Sequence, residues 1–271
     1  MERRGDFDLD GALALVTGAG SGIGRAIALE LARKGARVLA VDLHGDAAEK
    51  AAAACGEAGP DARGFTCDVA DEAAMAALAE RVHADHGPLD VLVNNAGVGM
   101  SARFTDMELE DWRWIRSVNL DGVVHGCHVF GPPMLERGRG HVVNVSSGLG
   151  YTPRATEGAY VTTKAAVLAL SRCLRADWAA AGVGVSAICP GVIDTPILEH
   201  TRFLGEQAAA ADRVRRLFRR GHPPALVARD VIVAIRKNKA VVPVGWEAKL
   251  GWWAHRLLPL AAQHRLARHR A

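Results

Sequence analysis

Residues 13–24 read LALVTGAGSGIG, a short apolar run followed directly by a loop that carries four glycines. A continuous apolar run of this length is typical of a strand that is buried on both faces of a parallel sheet. After the loop, Ile23, Ile27 and Leu31 recur at steps of four, which predicts a helix that ends at Gly35. The stretch therefore predicts a strand, a tight turn and a helix, in that order.

The same alternation of strands and helices continues along the chain. Further short β-rich runs lie at residues 38–41, 65–67, 91–93, 142–145, 185–188 and 240–244, with helical stretches between them. Strands that alternate with helices predict a parallel sheet covered on both faces. No linker divides the 271 residues. We therefore expect one α/β domain, residues 1–271, with a doubly wound parallel sheet of about seven strands.

Composition excludes several other classes of protein. The chain is 49% hydrophobic and 23% charged, close to the globular average, so a disordered protein is excluded. No apolar run approaches the roughly 20 residues that cross a bilayer, and the first residues lack a signal core, so we expect a cytoplasmic protein. The five cysteines are scattered without a CxxC pair, which argues against a disulfide framework and against a metal site.

The glycine loop has the features of a phosphate cradle. Glycines permit positive φ and let backbone N–H groups approach a pyrophosphate, whose charge the N-terminus of the following helix stabilises. Asp42 ends the second strand, 18 residues past Gly24, where a carboxylate accepts hydrogen bonds from the adenosine ribose and repels a 2′-phosphate. Neither Ser21 nor Leu43 is basic. The pattern predicts a dinucleotide site and favours NAD over NADP.

Several motifs occur in a fixed order along the chain. The spacing Thr-Gly-x3-Gly-x-Gly at residues 17–24 is followed by Asn94-Asn95-Ala96-Gly97, Ser147, Tyr160-x3-Lys164 and Pro190-Gly191. This set resembles the short-chain dehydrogenase/reductase family from about residue 10 to residue 245. The resemblance implies a Rossmann fold, an NAD(P)-dependent oxidoreductase acting on a small molecule, and a homodimer or homotetramer. We expect no nucleic-acid partner.

The resemblance also implies which residues hold the cofactor. They are Gly18, Gly20, Ser21, Gly22, Ile23, Gly24, Asp42, Asp68, Val69, Asn95, Ala96, Gly97, Tyr160, Lys164, Pro190, Gly191, Ile193 and Thr195. In the family, Asp68 lies beside the adenine, residues 94–97 lie under the cofactor, and Thr195 contacts the nicotinamide carboxamide.

A tyrosine and a lysine carry the predicted catalytic chemistry. Tyr160 and Lys164 are four residues apart in a predicted helix, residues 159–174, so their side chains leave one face. A nearby ammonium favours the phenolate and is expected to move the tyrosine pKa towards neutrality, where it suits acid–base catalysis. Ser147 can hydrogen-bond the substrate oxygen. The resemblance adds Asn119, which in the family fixes a water that links the lysine to solvent.

The segment at about 195–225 is predicted to be the substrate lid, because the family sets its substrate there. It contains an apolar set (Leu198, Phe203, Leu204, Leu217 and Phe218) and an arginine set (Arg213, Arg215, Arg216, Arg219 and Arg220). This pattern predicts a lipophilic secondary alcohol or ketone, such as a steroid, a terpenoid or a long-chain alcohol. A solvated surface helix is an alternative. Other functions considered are an NADP-dependent carbonyl or 3-oxoacyl-thioester reductase and a non-catalytic dinucleotide-binding protein.

Two further features concern the pocket and the C-terminal tail. Tyr151 is expected in the wall of the substrate pocket. In the tail, about 246–271, one helical stripe contains Trp246, Leu250, Trp253, Leu257 and Leu260, and basic side chains lie mostly elsewhere (Lys249, Arg256, Arg265, Arg268 and Arg270). Residues 201–271 carry 15 Lys and Arg against 4 Asp and Glu. The stripe fits packing on its own domain or across a subunit interface, or weak docking on a membrane surface.

Overall fold

The computed structural model describes residues 7–268, apart from the side chains of residues 266 and 268. The predicted basic residue Arg270 and the end of the tail lie outside the described residues. Nine strands are present in the described part: β1 Leu13–Thr17, β2 Arg37–Asp42, β3 Ala62–Thr66, β4 Val91–Asn94, β5 Gly99–Ser101, β6 Gly140–Val145, β7 Val183–Pro190, β8 Thr201–Phe203 and β9 Val241–Val244.

Ten α-helices lie between and after these strands in the described residues. They are α1 Gly22–Arg33, α2 Gly45–Ala58, α3 Glu72–His86, α4 Leu109–Arg116, α5 Gly122–Arg137, α6 Gly158–Trp178, α7 Gln207–Phe218, α8 Pro224–Arg236, α9 Trp246–Leu257 and α10 Leu260–Arg268. The predicted helix 159–174 is confirmed as α6, which runs four residues further than expected.

Seven of the strands form one parallel sheet with the order β3-β2-β1-β4-β6-β7-β9. The prediction of a single α/β domain with a doubly wound, seven-stranded parallel sheet is confirmed. The chain moves outward from β1 in one direction through β2 and β3, and then in the other direction from β4. Ligands bind outside the carboxyl ends of the strands where this order reverses. The carboxyl ends of β1 and β4 therefore place the site.

The core consists of two apolar layers, one on each face of the sheet. On β1, Ala14 and Val16 pack into the layer that contains α1, whereas Leu13 and Leu15 pack into the layer that contains α5. All five residues of β1 are buried, as expected for a central parallel strand. Burying one such aliphatic side chain stabilises the fold by about 1.5–3 kcal/mol. The two layers together hold the sheet rigidly beneath the site.

The segment after β7 crosses back over the carboxyl edge of the sheet. Its short strand β8 pairs in parallel with β5, from Gly99↔Thr201 to Ser101↔Phe203. Next to this pairing, Arg202 Nη1 lies 2.8 Å from Asp111 Oδ1, and its guanidinium carbon lies 3.8 Å from the centre of the Trp114 ring. These contacts hold the predicted lid segment in place on the rest of the domain.

The apolar stripe of the C-terminal helices faces solvent. Its five members are between 58% and 74% exposed. The opposite face of α9 packs on the domain, with Ala248 buried and Trp252 in edge contact with the Tyr151 ring. The expectation that the stripe packs on its own domain is therefore wrong. Among the helices of residues 7–268, none is long and apolar enough to cross a membrane.

Tyr151 also differs from the prediction. Its hydroxyl donates a hydrogen bond to the Ala248 backbone carbonyl at 2.8 Å, and the side chain is 4% exposed. The ring is thus part of the joint between α9 and the sheet rather than a wall of the substrate pocket. Trp252 lies 101 residues after Tyr151, so no local sequence pattern predicts their aromatic contact.

Candidate active site

The glycine loop turns from β1 into α1 as the sequence predicts. Gly18 and Gly22 have φ values of 62° and 51°, which residues other than glycine rarely adopt. A Cβ on Gly24 would meet the Gly18 carbonyl and the Asn95 amide nitrogen, so strand and helix approach as closely as their backbones allow. The loop therefore exposes backbone at the N-terminus of α1, where an anionic pyrophosphate is stabilised.

Asp42 lies beside the glycine loop, at the carboxyl end of β2. Its Oδ2 accepts a hydrogen bond from the Gly20 N–H at 2.9 Å, and its Oδ1 accepts one from the His44 N–H at 3.1 Å. These contacts hold the carboxylate at the rim of the cavity described below. The geometry matches the predicted place for a group that binds ribose hydroxyls.

Thr17 connects the glycine loop to the segment that follows β4, and the sequence analysis did not assign it to the site. Its hydroxyl oxygen accepts hydrogen bonds from the backbone N–H groups of Asn95 and Ala96 at 3.0 and 3.1 Å. The Asn95 side chain donates in return to the Thr17 carbonyl at 2.9 Å. Thr17 is the first residue of the Thr-Gly-x3-Gly-x-Gly motif, so the motif could have indicated that it belongs to the site.

Ser147, Tyr160 and Lys164 meet at the carboxyl edge of the sheet. Ser147 follows β6, and Tyr160 and Lys164 leave one face of α6. The Ser147 hydroxyl lies near the Tyr160 hydroxyl and favours its ionised form. The Lys164 ammonium donates to the Val145 carbonyl at 3.0 Å and lies 5.9 Å from the centre of the Tyr160 ring. The structure thus brings these three predicted catalytic residues together.

Burial dominates the acidity of this cluster. It raises the pKa of Tyr160 to about 12, although the nearby Ser147 hydroxyl opposes the rise. It also lowers the pKa of the Lys164 ammonium to about 8. The expectation that Lys164 brings the tyrosine pKa towards neutrality is therefore wrong for the protein by itself, because burial is the largest influence on that pKa.

Asn119 lies in a π-helical turn, Ser117–Asp121, between α4 and α5. Its Oδ1 accepts from the Val98 N–H at 2.8 Å and its Nδ2 donates to the Val98 carbonyl at 2.9 Å. The residue is fully buried and does not line the cavity. A Cβ on Gly97 would nevertheless meet both Asn119 Oδ1 and Lys164 Nζ, at 3.1 and 3.3 Å, so the three residues are neighbours. Its role with a relay water stays a prediction.

A cavity of about 760 Å³ runs along this edge of the sheet. Every residue predicted to bind the cofactor lines it, and so does Ser147. Two backbone features make the cavity fit a dinucleotide. The loop glycines leave backbone open to the cavity, and Thr195 lies against one of them, because a Cβ on Gly22 would contact it at 3.2 Å. The predicted cofactor residues therefore share one site.

Comparison with known proteins agrees with this arrangement. The family model described as short chain dehydrogenase matches residues 12–203. The chain belongs to the short-chain dehydrogenase family. The resemblance found in the sequence is thereby confirmed.

Two curated relatives and one solved structure illustrate the similarity. A probable oxidoreductase, EphD of Mycobacterium tuberculosis, is 44% identical over 260 residues, 92% of this chain and 43% of the relative, so the chain spans less than half the length of the first curated relatives that it matches. D-threitol dehydrogenase of Mycolicibacterium smegmatis is 41% identical over 229 residues, 84% of this chain and 88% of the relative. A short chain dehydrogenase/reductase of Burkholderia phymatum in complex with NAD has a TM-score of 0.87 at 30% identity, covering 98% of each chain.

In this short-chain dehydrogenase, the cavity lining also contains side chains that the sequence analysis did not assign to the site, most of them polar. The lining includes Trp114, Ser117, Glu199, His200, Thr201 and Arg202. Of the five apolar residues predicted to cover a lipophilic substrate, Phe218 lines the cavity, whereas Leu217 is 53% exposed. No local pattern marks residues 199–202, because their position depends on the pairing of β8 with β5.

Proposed function

We propose that the protein is an NAD-dependent oxidoreductase that interconverts a secondary alcohol and a ketone. The observation that carries this proposal is the convergence of Ser147, Tyr160 and Lys164 on a cavity lined along its length by the predicted dinucleotide residues. A protein that only bound a dinucleotide would have no need of this acid–base group. When bound, the nicotinamide supplies or accepts the hydride.

The roles of the side chains follow from their positions. Tyr160 exchanges a proton with the substrate oxygen, as an acid in reduction and as a base in oxidation. Ser147, which lines the cavity with Tyr160, holds that oxygen and stabilises negative charge that develops on it. Lys164 is held by the Val145 carbonyl, and its ammonium favours the phenolate. Asn119 supports the relay that returns the proton to solvent, through its contacts beside Lys164.

Oxidation by this site should depend steeply on pH. The base is the Tyr160 phenolate, and burial raises the pKa of Tyr160 to about 12, so the phenolate is scarce at neutral pH. Below that pKa, each increase of one pH unit should therefore raise kcat/KM for oxidation about tenfold. We expect this rise between pH 6 and pH 7, where Lys164, with a pKa of about 8, is mostly charged. Reduction, which uses the phenol, should stay level, and a level profile for oxidation would contradict the role of Tyr160 as base.

Asp42 supports NAD as the preferred cofactor. Its carboxylate lies at the cavity rim beside Gly20, and the two residues that follow it in the lining, Leu43 and His44, are neither lysine nor arginine. NADP remains the alternative, because a further solved relative, 34% identical, contains NADP at low occupancy. A buried or partly buried carboxylate repels the added 2′-phosphate at this point.

Asp42→Asn should reduce the preference for NAD. The amide keeps an oxygen that accepts from Gly20 but loses the charge, so we expect the ratio of kcat/KM for NAD to that for NADP to fall about tenfold or more, the value of one charge-assisted hydrogen bond. Steady-state kinetics with both cofactors measure the ratio. Asp46→Asn, on the same side but 76% exposed, is the matched control and should leave it unchanged. An equal ratio in Asp42→Asn and the wild type would count against the assignment.

Polar side chains in the cavity lining favour a polyol as the substrate. Glu199 and His200 offer acceptors and donors for several hydroxyl groups, and a hydroxylated substrate pairs with such groups. A relative that is 41% identical is named D-threitol dehydrogenase. The lipophilic alcohol predicted from the sequence is the alternative, supported by Trp114 and Phe218 in the same lining.

A substrate panel distinguishes the two classes. We expect NAD-dependent absorbance change at 340 nm with four- to six-carbon polyols and much slower change with long-chain or steroid secondary alcohols. The reverse order would overturn the polyol assignment and support the lipophilic one. Turnover confined to NADP and 3-oxoacyl thioesters would instead support the reductase alternative, and NAD binding without any turnover would support the non-catalytic one.

The exposed stripe of α9 and α10 supports one further proposal about partners, namely contact with an anionic membrane surface. Trp246 and Trp253 are 70% and 58% exposed on one face, and Lys249 and Arg256 are exposed beside them. Glu247 is the only acidic residue in 246–268, and it faces the domain. Aromatic anchors flanked by cations and free of exposed carboxylates complement anionic headgroups.

Vesicle flotation tests this contact. The protein should float with phosphatidylglycerol vesicles, less with phosphatidylcholine vesicles, and not after Trp246→Ser with Trp253→Ser. Phe104→Ser, which removes another exposed aromatic ring at 73% exposure, is the matched control. If the wild type stays at the bottom of the gradient, and the double variant changes the subunit number in solution, the stripe is a subunit interface and the membrane proposal fails.

A further inference from the structure

The first turn of α9 reaches the loop that follows β7. Glu247 Oε1 accepts a hydrogen bond from the Val192 N–H at 2.7 Å. A Cβ on Gly191 would collide with the Glu247 carboxylate, so only a glycine allows this approach. Gly191 in turn donates its N–H to the Val244 carbonyl at 2.9 Å, just before α9 begins. The loop is thus held from the C-terminal side of the chain.

His222 completes the same contact from the start of the segment before α8. Its Nε2 lies 3.0 Å from Glu247 Oε2, and its backbone N–H donates to the Val192 carbonyl at 2.9 Å. The Asp194 N–H donates to the His222 carbonyl at 2.9 Å. Both backbone groups of Val192 are therefore fixed by two residues that are distant in sequence.

Electrostatics keep this carboxylate ionised. Burial opposes the charge of Glu247, but hydrogen bonds from its own backbone N–H and from Val192, together with His222, lower its pKa below the ordinary value. Glu247 is 24% exposed and His222 is 29% exposed, so the pair is largely shielded from water. A shielded acceptor of this kind holds its donor more firmly than a surface one.

The loop that is held in this way lines the predicted nicotinamide end of the cavity. Gly191, Ile193 and Thr195 all contribute to the cavity wall, and Ile193 is 3% exposed. Thr195 also contacts Gly22 of the glycine loop. Displacement of Val192 would therefore move the wall on which the cofactor rests. Glu247 and His222 both lie outside residues 12–203, the part matched by the family model.

We propose that Glu247 is a positioning residue for the cofactor, because its carboxylate fixes the Gly191–Ile193 backbone through the Val192 N–H and ties it to His222. The proposal rests on the proposed dinucleotide function. Glu247 does not line the cavity. It acts on the cofactor through the loop that contains Val192.

Glu247→Ala should weaken NAD binding without altering the chemistry. We expect Kd and KM for NAD to rise about tenfold, while kcat at saturating NAD changes less than threefold, because Tyr160 and Lys164 are untouched. Glu247→Gln keeps an oxygen that accepts from Val192, and it should restore Kd to within about threefold of the wild type. Lys249→Ala, an exposed neighbour on α9, is the matched control and should leave Kd unchanged.

Hydrogen exchange provides a readout that is independent of turnover. Amide exchange of the 190–195 peptide should speed up in Glu247→Ala, and not in Glu247→Gln or Lys249→Ala. Unchanged exchange in the alanine variant overturns the contact, and faster exchange with unchanged Kd overturns the positioning role. Equal losses of affinity in the alanine and glutamine variants also overturn it. If the wild type oxidised no alcohol, the proposed function would fail. The Kd for NAD and the hydrogen exchange of residues 190–195 would still test the positioning role of Glu247.

Discussion

Tyr160→Phe should lower kcat at least about a hundredfold and leave the Kd for NAD within about threefold, since general acid–base catalysis contributes roughly 10²–10⁴-fold. The substitution removes one hydroxyl from a ring whose place on α6 is fixed by packing. The substitution changes neither the glycine loop nor the loop after β7. Stopped turnover with intact cofactor binding is the expected combination, measured by steady-state kinetics and by titration of NADH fluorescence.

The chain contains two tyrosines, and the second is a natural control. Tyr151→Phe also removes a buried hydroxyl, which donates to the Ala248 carbonyl. It should lower stability by about 1 kcal/mol and leave kcat nearly unchanged, because Tyr151 does not line the cavity. If Tyr160→Phe retained more than a tenth of wild-type activity, or if both variants lost activity equally, Tyr160 would not be the acid–base group.

Local sequence patterns were sufficient for the sheet and for the cofactor end of the site. The apolar runs fixed the strands because a parallel strand buried on both faces requires them, as in β1. Gly18 and Gly22 have the positive φ values that their loop implies, and Asp42 lies beside Gly20. Each of these features depends on residues near in sequence, or on the edge where neighbouring parallel strands end.

The features that the sequence did not reveal depend on distant contacts. The polar lining at residues 199–202 arises because β8 pairs with β5, and the paired residues Gly99 and Thr201 are 102 positions apart in the sequence. The raised pKa of Tyr160 arises from burial, which no spacing of Tyr and Lys conveys. The C-terminal stripe is another example. Its periodicity correctly predicts an apolar face on α9, but the opposite face packs on the domain, through the contact of Trp252 with the distant Tyr151.

The close approach of the glycine loop to its helix predicts a strong effect for a single methyl group. In Gly24→Ala, the added Cβ would collide with the Gly18 carbonyl and lie 2.5 Å from Asn95 Nδ2. Neither can retreat freely, because Asn95 Nδ2 is bonded to the Thr17 and Gly18 carbonyls. Overpacking of this kind costs about 1–3 kcal/mol, or a fall in Tm of roughly 2–10 °C in a chain of this size. The loop must also shift, so NAD affinity should fall at least about tenfold.

Gly56→Ala is the matched control, and it should act in the opposite direction. Gly56 lies in α2, is exposed, and has nothing within 4 Å of the Cβ that would be added. An alanine in a helix is more stable than a glycine by about 0.5–1 kcal/mol, so Tm should rise slightly. Thermal unfolding at one protein concentration, with and without saturating NAD, separates the two effects, because a ligand raises Tm only through binding to the folded state. The NAD-dependent rise should persist in Gly56→Ala and shrink in Gly24→Ala. An undiminished rise in Gly24→Ala would mean that the contact between Gly18 and Gly24 stabilises the fold without shaping the cofactor loop.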